Sequence, residues 1–173
     1  MADESFNELK KHSAQPGQVE WIVLCTSRRG AVRSVESVMA REGTGLDGDH
    51  HAANGSSKRQ VTLIQAEHLP VIASLTGREA VTPAQLRRNV VVSGINLLSL
   101  KDQKFRIGSA LLQGTGPCIP CSRMEEVLGT GGYNAMRGHG GICARVLEEG
   151  TVSVGDAVTM VIEEPNDGEP TLF

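Results

Sequence analysis

No stretch of the chain approaches the 18 or so consecutive apolar residues of a membrane helix. The opening residues, MADESFNELKKHSAQPGQ, hold no apolar h-region of the kind a signal peptide needs. Four cysteines in 173 residues are too few for a disulfide scaffold, so the expectation is a cytoplasmic protein with reduced thiols. Net charge is −3, which excludes bulk electrostatic binding to nucleic acid or to an anionic membrane. Helical periodicity never persists beyond about three turns, which excludes a helix bundle. Strand-like segments do not alternate with long helices, which argues against a parallel α/β sheet. No flavin, haem or dinucleotide motif is found, and no calcium-hand loop.

What remains is a chain of short apolar, β-branched segments separated by turns. Segments 19–26 (VEWIVLCT), 31–40 (AVRSVESVMA), 59–65, 89–93 (NVVVS), 105–113, 143–148 and 152–162 read as strands, about seven in all, with a bend at Gly155-Asp156. Two or three short helices fall between them. One spans 66–76, and another spans 84–88 behind Thr82-Pro83 as N-cap and N1 proline. The expected fold is mainly β, a β-barrel with a few short helices. One domain is expected over 19–163, with a flexible leader (1–18) and tail (164–173).

Ten of the twenty glycines lie between Gly108 and Gly150, together with Cys118, Cys121 and Cys143. Arg123, Arg137 and Arg145 are interleaved with them. Glycine permits close backbone approach and positive φ, so this cluster reads as a binding loop. Its thiols have three readings. Cys118-x-x-Cys121 matches a redox pair, though that chemistry usually follows the first strand of a βαβ unit. Cys118, Cys121, His139 and Cys143 have the order Cys-x2-Cys-x17-His-x3-Cys, near zinc-finger spacing. In the third reading a single thiolate serves as metal ligand or nucleophile, with arginines lowering its pKa. Ser122 would then cap a helix, with Glu125 as its capping-box acid and the Cys121 thiol at its positive end. Cys25 reads as an inert core thiol. In the loop 43–55, Asp47, Asp49, His50 and His51 are either metal ligands or turn acids beside solvated histidines.

Six segments then follow one another in order: Gly-Leu-Asp-Gly-Asp-His at 45–50, Arg59-Gln-Val-Thr-Leu, Arg87-Arg-Asn89-Val-Val-Val-Ser-Gly, Gly116-Pro-Cys-Ile-Pro-Cys121, Arg137-Gly-His-Gly-Gly-Ile, and Gly150-x4-Gly-Asp156. Together they resemble the MOSC domain, named for the C-terminal domain of molybdenum cofactor sulfurase, over about 19–162. The resemblance implies a strand-rich barrel that binds a pyranopterin molybdenum cofactor (molybdopterin). It implies Cys121 as the metal ligand and catalytic residue. It further implies Arg59, Arg87 and Asn89 at the cofactor's phosphate and pterin, Asp49 and His50 shaping the pocket, and Arg123, Arg137 and His139 among the cofactor-binding residues. It also carries an association with pyridoxal phosphate. Relatives reduce N-hydroxylated compounds such as amidoximes and hydroxylaminopurines, or transfer sulfur to molybdenum. The chain shows neither the sulfurase's aminotransferase-like domain nor the β-rich partner domain of amidoxime reducers, and so resembles small stand-alone bacterial forms. The implied activity is reduction of a small-molecule N-hydroxylated base, with electrons from a separate protein. The alternative is a persulfide or cofactor carrier served by a sulfur donor.

Overall fold

The structure is a computed structural model that describes residues 5–53 and 58–163. The expected tail and the first four residues of the leader lie outside the described residues. Seven strands close a barrel. They run in the ring order β1 (Gly17–Cys25), β6 (Val90–Ser93), β5 (Val61–Gln65), β9 (Ile142–Glu148), β8 (Ala110–Pro117), β7 (Lys104–Ile107) and β11 (Ala157–Met160). The ring shuts where Gly17 and Gln18 pair with Val158 and Ala157. The C-terminal half of β1 pairs on that same edge with β2 (Val32–Val35). A smaller sheet of β10 (Gly150–Ser153), β3 (Ser37–Arg41) and β4 (Gly45–Leu46) lies beside the barrel. The mainly β expectation therefore holds, as a closed seven-stranded barrel with short helices.

Period-two alternation sorts the central strands between two cores. Leu63, Val90 and Val92 point into the barrel with Phe105, Ile107 and Leu112. Ile64 and Val91 face outward, under a cover of α3 (His68–Leu75), α5 (Ser122–Leu128) and α6 (Gly132–Met136). Burial on both faces explains why these strands read as unbroken apolar runs. β5 and β6 form the one parallel pair among the described strands, with α3 and α4 (Pro83–Leu86) in the crossover. The fold thus contains a single βαβ-like unit that the absence of long helices concealed.

Three local readings change. The expected strand 31–40 is two strands, parted at Glu36 and belonging to different sheets. The expected strand 105–113 is a hairpin, β7–β8, turning at Gly108-Ser109 with Gly108 at φ +56°. Helix α5 is capped by Cys121, not Ser122. Glu125 does not reach back to that cap. It accepts instead from the Gly131 and Tyr133 amides (2.8 and 2.9 Å) and so starts α6.

Candidate functional site

A cavity of about 300 Å³ opens where the end of β1, the end of α4 and the start of α5 converge. Its described lining includes six arginines: Arg28, Arg29, Arg59, Arg87, Arg88 and Arg123. No carboxylate is among the described lining residues. Cys121 stands exposed at the cavity, and His50 and Cys25 contribute to its wall.

Helix α4 delivers two of the arginines. Thr82 and Gln85 form a reciprocal capping box with Pro83 in the first turn, so the helix starts where the sequence placed it. It stops at Arg87, which takes the left-handed conformation (φ 54°), an uncommon state for a residue with a Cβ. The chain reverses there, and Arg87 and Arg88 acquire different tasks. Arg87 donates from Nη1 to Gly30 O (2.7 Å) and from Nη2 to Ser27 O (2.8 Å). It therefore clamps the turn that carries Arg28 and Arg29. Arg88 is buried, donating from Nε to Gly140 O (2.9 Å) and from Nη1 to Leu86 O (3.0 Å). Its Nη2 is buried without a partner, as are Nε of Arg59 and Nε of Arg123. Unsatisfied buried donors on cationic groups cost free energy unless an acceptor meets them. Three of them around one cavity fit an anionic group with several acceptor oxygens.

Behind this wall lies a joint of buried polar groups. Asn89 accepts at Oδ1 from the Thr62 amide (3.0 Å) and hydroxyl (3.1 Å). It donates from Nδ2 to Val23 O (3.1 Å) and to Asp49 Oδ1 (3.0 Å). Asp49 Oδ1 also accepts from the Cys25 amide (2.8 Å). His50 Nδ1 lies 3.1 Å from Cys25 O, which places a proton on that nitrogen. Asn89 is fully buried and its amide is committed to protein, so it supports the cavity from behind and does not face it. Burial pushes the Cys25 thiol up, with Arg87 opposing, so Cys25 stays a neutral wall residue.

The other residues singled out in the glycine-rich region do not join Cys121. Cys118 and Cys143 are buried and hydrogen-bonded to each other, which together with burial drives the Cys143 pKa upward and keeps it a thiol. His139 directs Nδ1 at Ala135 O (3.1 Å) and stacks edge-on against His68 at 5.2 Å. Arg137 reaches Asn134 Oδ1 (3.4 Å) and lines a different cavity. Among the described residues no group of three or more His, Cys, Asp or Glu is placed to hold a metal, so the zinc-spaced set is split. The His51 side chain lies outside the described residues. Arg88 is the residue that motif reading passed over. The available signal was a second arginine two residues ahead of the apolar run Val90–Val92, where a buried cation needs dedicated partners.

A strand-rich barrel with an arginine-lined cavity beside an exposed thiol defines the architecture. The profile of the MOSC domain matches residues 47–159, and the chain belongs to the MOSC domain family. Solved structures share the fold. The YuaD protein from Bacillus subtilis superposes with a TM-score of 0.73 at 21% identity, over 84% of this chain and 96% of that one. YiiM from Geobacillus stearothermophilus gives a TM-score of 0.68 at 19% identity, over 85% and 76%. YiiM from Escherichia coli gives 0.66 at 21%, over 86% and 72%. Comparison with curated proteins finds no match. No helix among the described residues is long and apolar enough to cross a membrane.

Proposed function

We propose that the chain binds a molybdenum cofactor in the arginine-lined cavity and uses it to reduce N-hydroxylated small bases. The observation that carries this reading is the set of buried, partnerless nitrogens on Arg59, Arg88 and Arg123 around a cavity that ends at Cys121. That donor set suits a pterin phosphate, and the Cys121 thiolate suits a soft metal. When bound, the cofactor supplies two-electron removal of oxygen from an N–O bond. Every other task falls to protein groups. Arg59, Arg88 and Arg123 meet the phosphate oxygens, and Cys121 holds the metal. Arg87 keeps the Arg28–Arg29 turn at the mouth, where those exposed cations attract an anion by long-range steering. The Asn89–Asp49 joint fixes the ends of β1 and β6 beneath the cavity. Electrons come from a separate protein.

The test is metal and pterin analysis of chain purified from a host that makes the cofactor, beside a reductase assay on a hydroxylamino base with an electron donor. Stoichiometric molybdenum and pterin, both lost in Cys121→Ser together with turnover, support the reading. Folded wild type without either refutes it. A second reading, persulfide carriage, is favoured by the exposure of the Cys121 thiol. It predicts a mass gain of one sulfur on Cys121 after incubation with a persulfide donor, whose thiolate leaves as its sulfane sulfur passes to Cys121, and no turnover.

A further inference from the structure

A second cavity, of about 380 Å³, shares the Cys118–Cys121 segment with the arginine cavity. Cys118, Ile119 and Pro120 line the one, and Cys121 lines the other. The glycine loop also lines the second cavity, through Arg137, Gly138, Gly140 and Gly141. Gly140 is buried, and its carbonyl accepts from Arg88 Nε (2.9 Å). Its amide N–H meets no acceptor among the described residues, nor do those of Gly138 and Gly141. Buried backbone N–H groups are nearly always paired, so the Gly140 amide fits an acceptor atom brought by a ligand. A Cβ on Gly140 would collide with the Cys118 carbonyl, so the loop lies this close to Cys118 only as glycine.

The rest of the lining divides into apolar surface and hydrogen-bond donors. Leu97, Leu98, Ile119 and Tyr133 supply apolar surface, and the last three are exposed. Gln65 and Asn96 each use the amide oxygen to accept a backbone N–H, from Leu97 (3.1 Å) and Leu98 (3.1 Å), leaving their NH₂ groups as donors. Arg137 makes one contact among the described residues, from Nη1 to Asn134 Oδ1 at 3.4 Å, so its other N–H groups remain available. Arg137 is also the one charge in the described lining at neutral pH. No carboxylate is present there, and burial, then His139, lower the His68 pKa, so that imidazole is uncharged. One cation here, against six in the arginine cavity, suits a single negative charge and not a phosphate dianion. A few convergent polar groups in an otherwise apolar concavity are the usual make-up of a small-molecule site.

We propose that this cavity is a binding site for an aliphatic monocarboxylate, a head of two acceptor oxygens on a saturated chain. The head is met by Arg137 and the free amide donors, and the chain lies against Leu97, Leu98 and Ile119. An ionised carboxylate only accepts hydrogen bonds, which is what a lining of donors requires. The site goes beyond the molybdenum reading and does not rest on it, since none of these contacts involves the cofactor.

The experiment is titration of the full chain with octanoate at neutral pH by calorimetry, beside octanol and octylammonium, with molybdenum content measured on the same samples. Octanoate is expected to bind whether or not cofactor is present. Octanol and octylammonium should each bind at least about tenfold more weakly, the scale of one hydrogen bond to a charged group. Arg137 is exposed, so Arg137→Gln should fold normally yet weaken octanoate by a similar factor. Leu98 is 60% exposed, so Leu98→Glu should also fold, and should weaken octanoate by setting a like charge in the apolar wall. Absence of octanoate binding to the folded chain overturns the site, and so does equal affinity for octanol. Octanoate affinity unchanged in both variants puts the binding elsewhere and overturns it too. Loss of molybdenum in Arg137→Gln with octanoate affinity unchanged would assign Arg137 to the cofactor and overturn the site. Octanoate binding by a chain that never carries molybdenum, weakened in both variants, would uphold the site and sink the cofactor reading alone.

Discussion

Asn89 backs the arginine cavity and Cys121 stands exposed at it, so the two should answer mutation oppositely. Asn89 satisfies four groups at once in a buried joint. Asn89→Ala leaves Val23 O and the Thr62 groups short of partners and removes a donor from buried Asp49. The expected loss is about 2–4 kcal/mol, read as a lower urea midpoint at unchanged slope. Cys121 is exposed and makes no side-chain cap bond, so Cys121→Ser should move the thermal midpoint hardly at all while abolishing metal retention. If Cys121→Ser were as destabilising as Cys118→Ser or Cys143→Ser, the single-ligand reading would fail. Arg88→Lys is the sharper residue-scale test. Lysine keeps the charge but lacks the fork that spans Gly140 O, Leu86 O and the cavity, so cofactor content should fall despite conserved charge.

At the scale of elements, α5 and α6 are held in sequence by one carboxylate. The Tyr133 and Gly131 amides, the larger cause first, keep Glu125 below the usual carboxylate range. A depressed folded pKa contributes stability above the unfolded value, and the contribution is lost as pH falls through the folded one. The helical link should therefore loosen in acid below about pH 4. Glu125→Gln should flatten that part of the stability–pH profile; an unchanged acid limb would show the contact to be idle. This scale also shows what sequence can and cannot carry. The Thr82-Pro83 start of α4 and the bend at Gly155-Asp156 were legible because caps and turns are local chemistry. The 31–40 segment was not: Val32, Val35 and Val38 recur every third residue and so hold no single strand face, and nothing local marks Glu36 as the point where the chain changes sheets. The site divides the same way. The thiol and arginine motifs drew attention to Arg59, Arg87, Arg123 and Cys121. The left-handed turn at Arg87, which sends Arg88 inward, depends on what the strand behind it packs against.

At the scale of the whole molecule, closure of the barrel is uneven. The β8–β9 ladder holds six register pairs, whereas the β1–β11 seam holds two, Gly17↔Val158 and Gln18↔Ala157. Two further bonds clip the seam, Val19 N to Asp156 O (2.9 Å) and Gly155 N to Val19 O (2.8 Å). Sub-global opening follows the fewest contacts, so the seam should part before the sheet unfolds, with β5, β6, β8 and β9 still paired. Native-state hydrogen exchange should find the Val19 and Gly155 amides opening at a fraction of the global free energy, and the β8–β9 amides opening only with global unfolding. Gly17 gives the corresponding mutation. A Cβ there meets the Ile95 side chain, with Ser93 O and a Val92 methyl both at 3.1 Å, so Gly17→Val overpacks the β6 side of the strand end that also makes the seam. The expected cost is about 1–3 kcal/mol, typical of overpacking. It should appear first as faster exchange at Val19 and Gly155. The arginine cavity lies at the opposite end of β1, so cofactor content should be unchanged in Gly17→Val. Seam amides that exchange only at the global rate would show instead that the barrel opens as one cooperative unit.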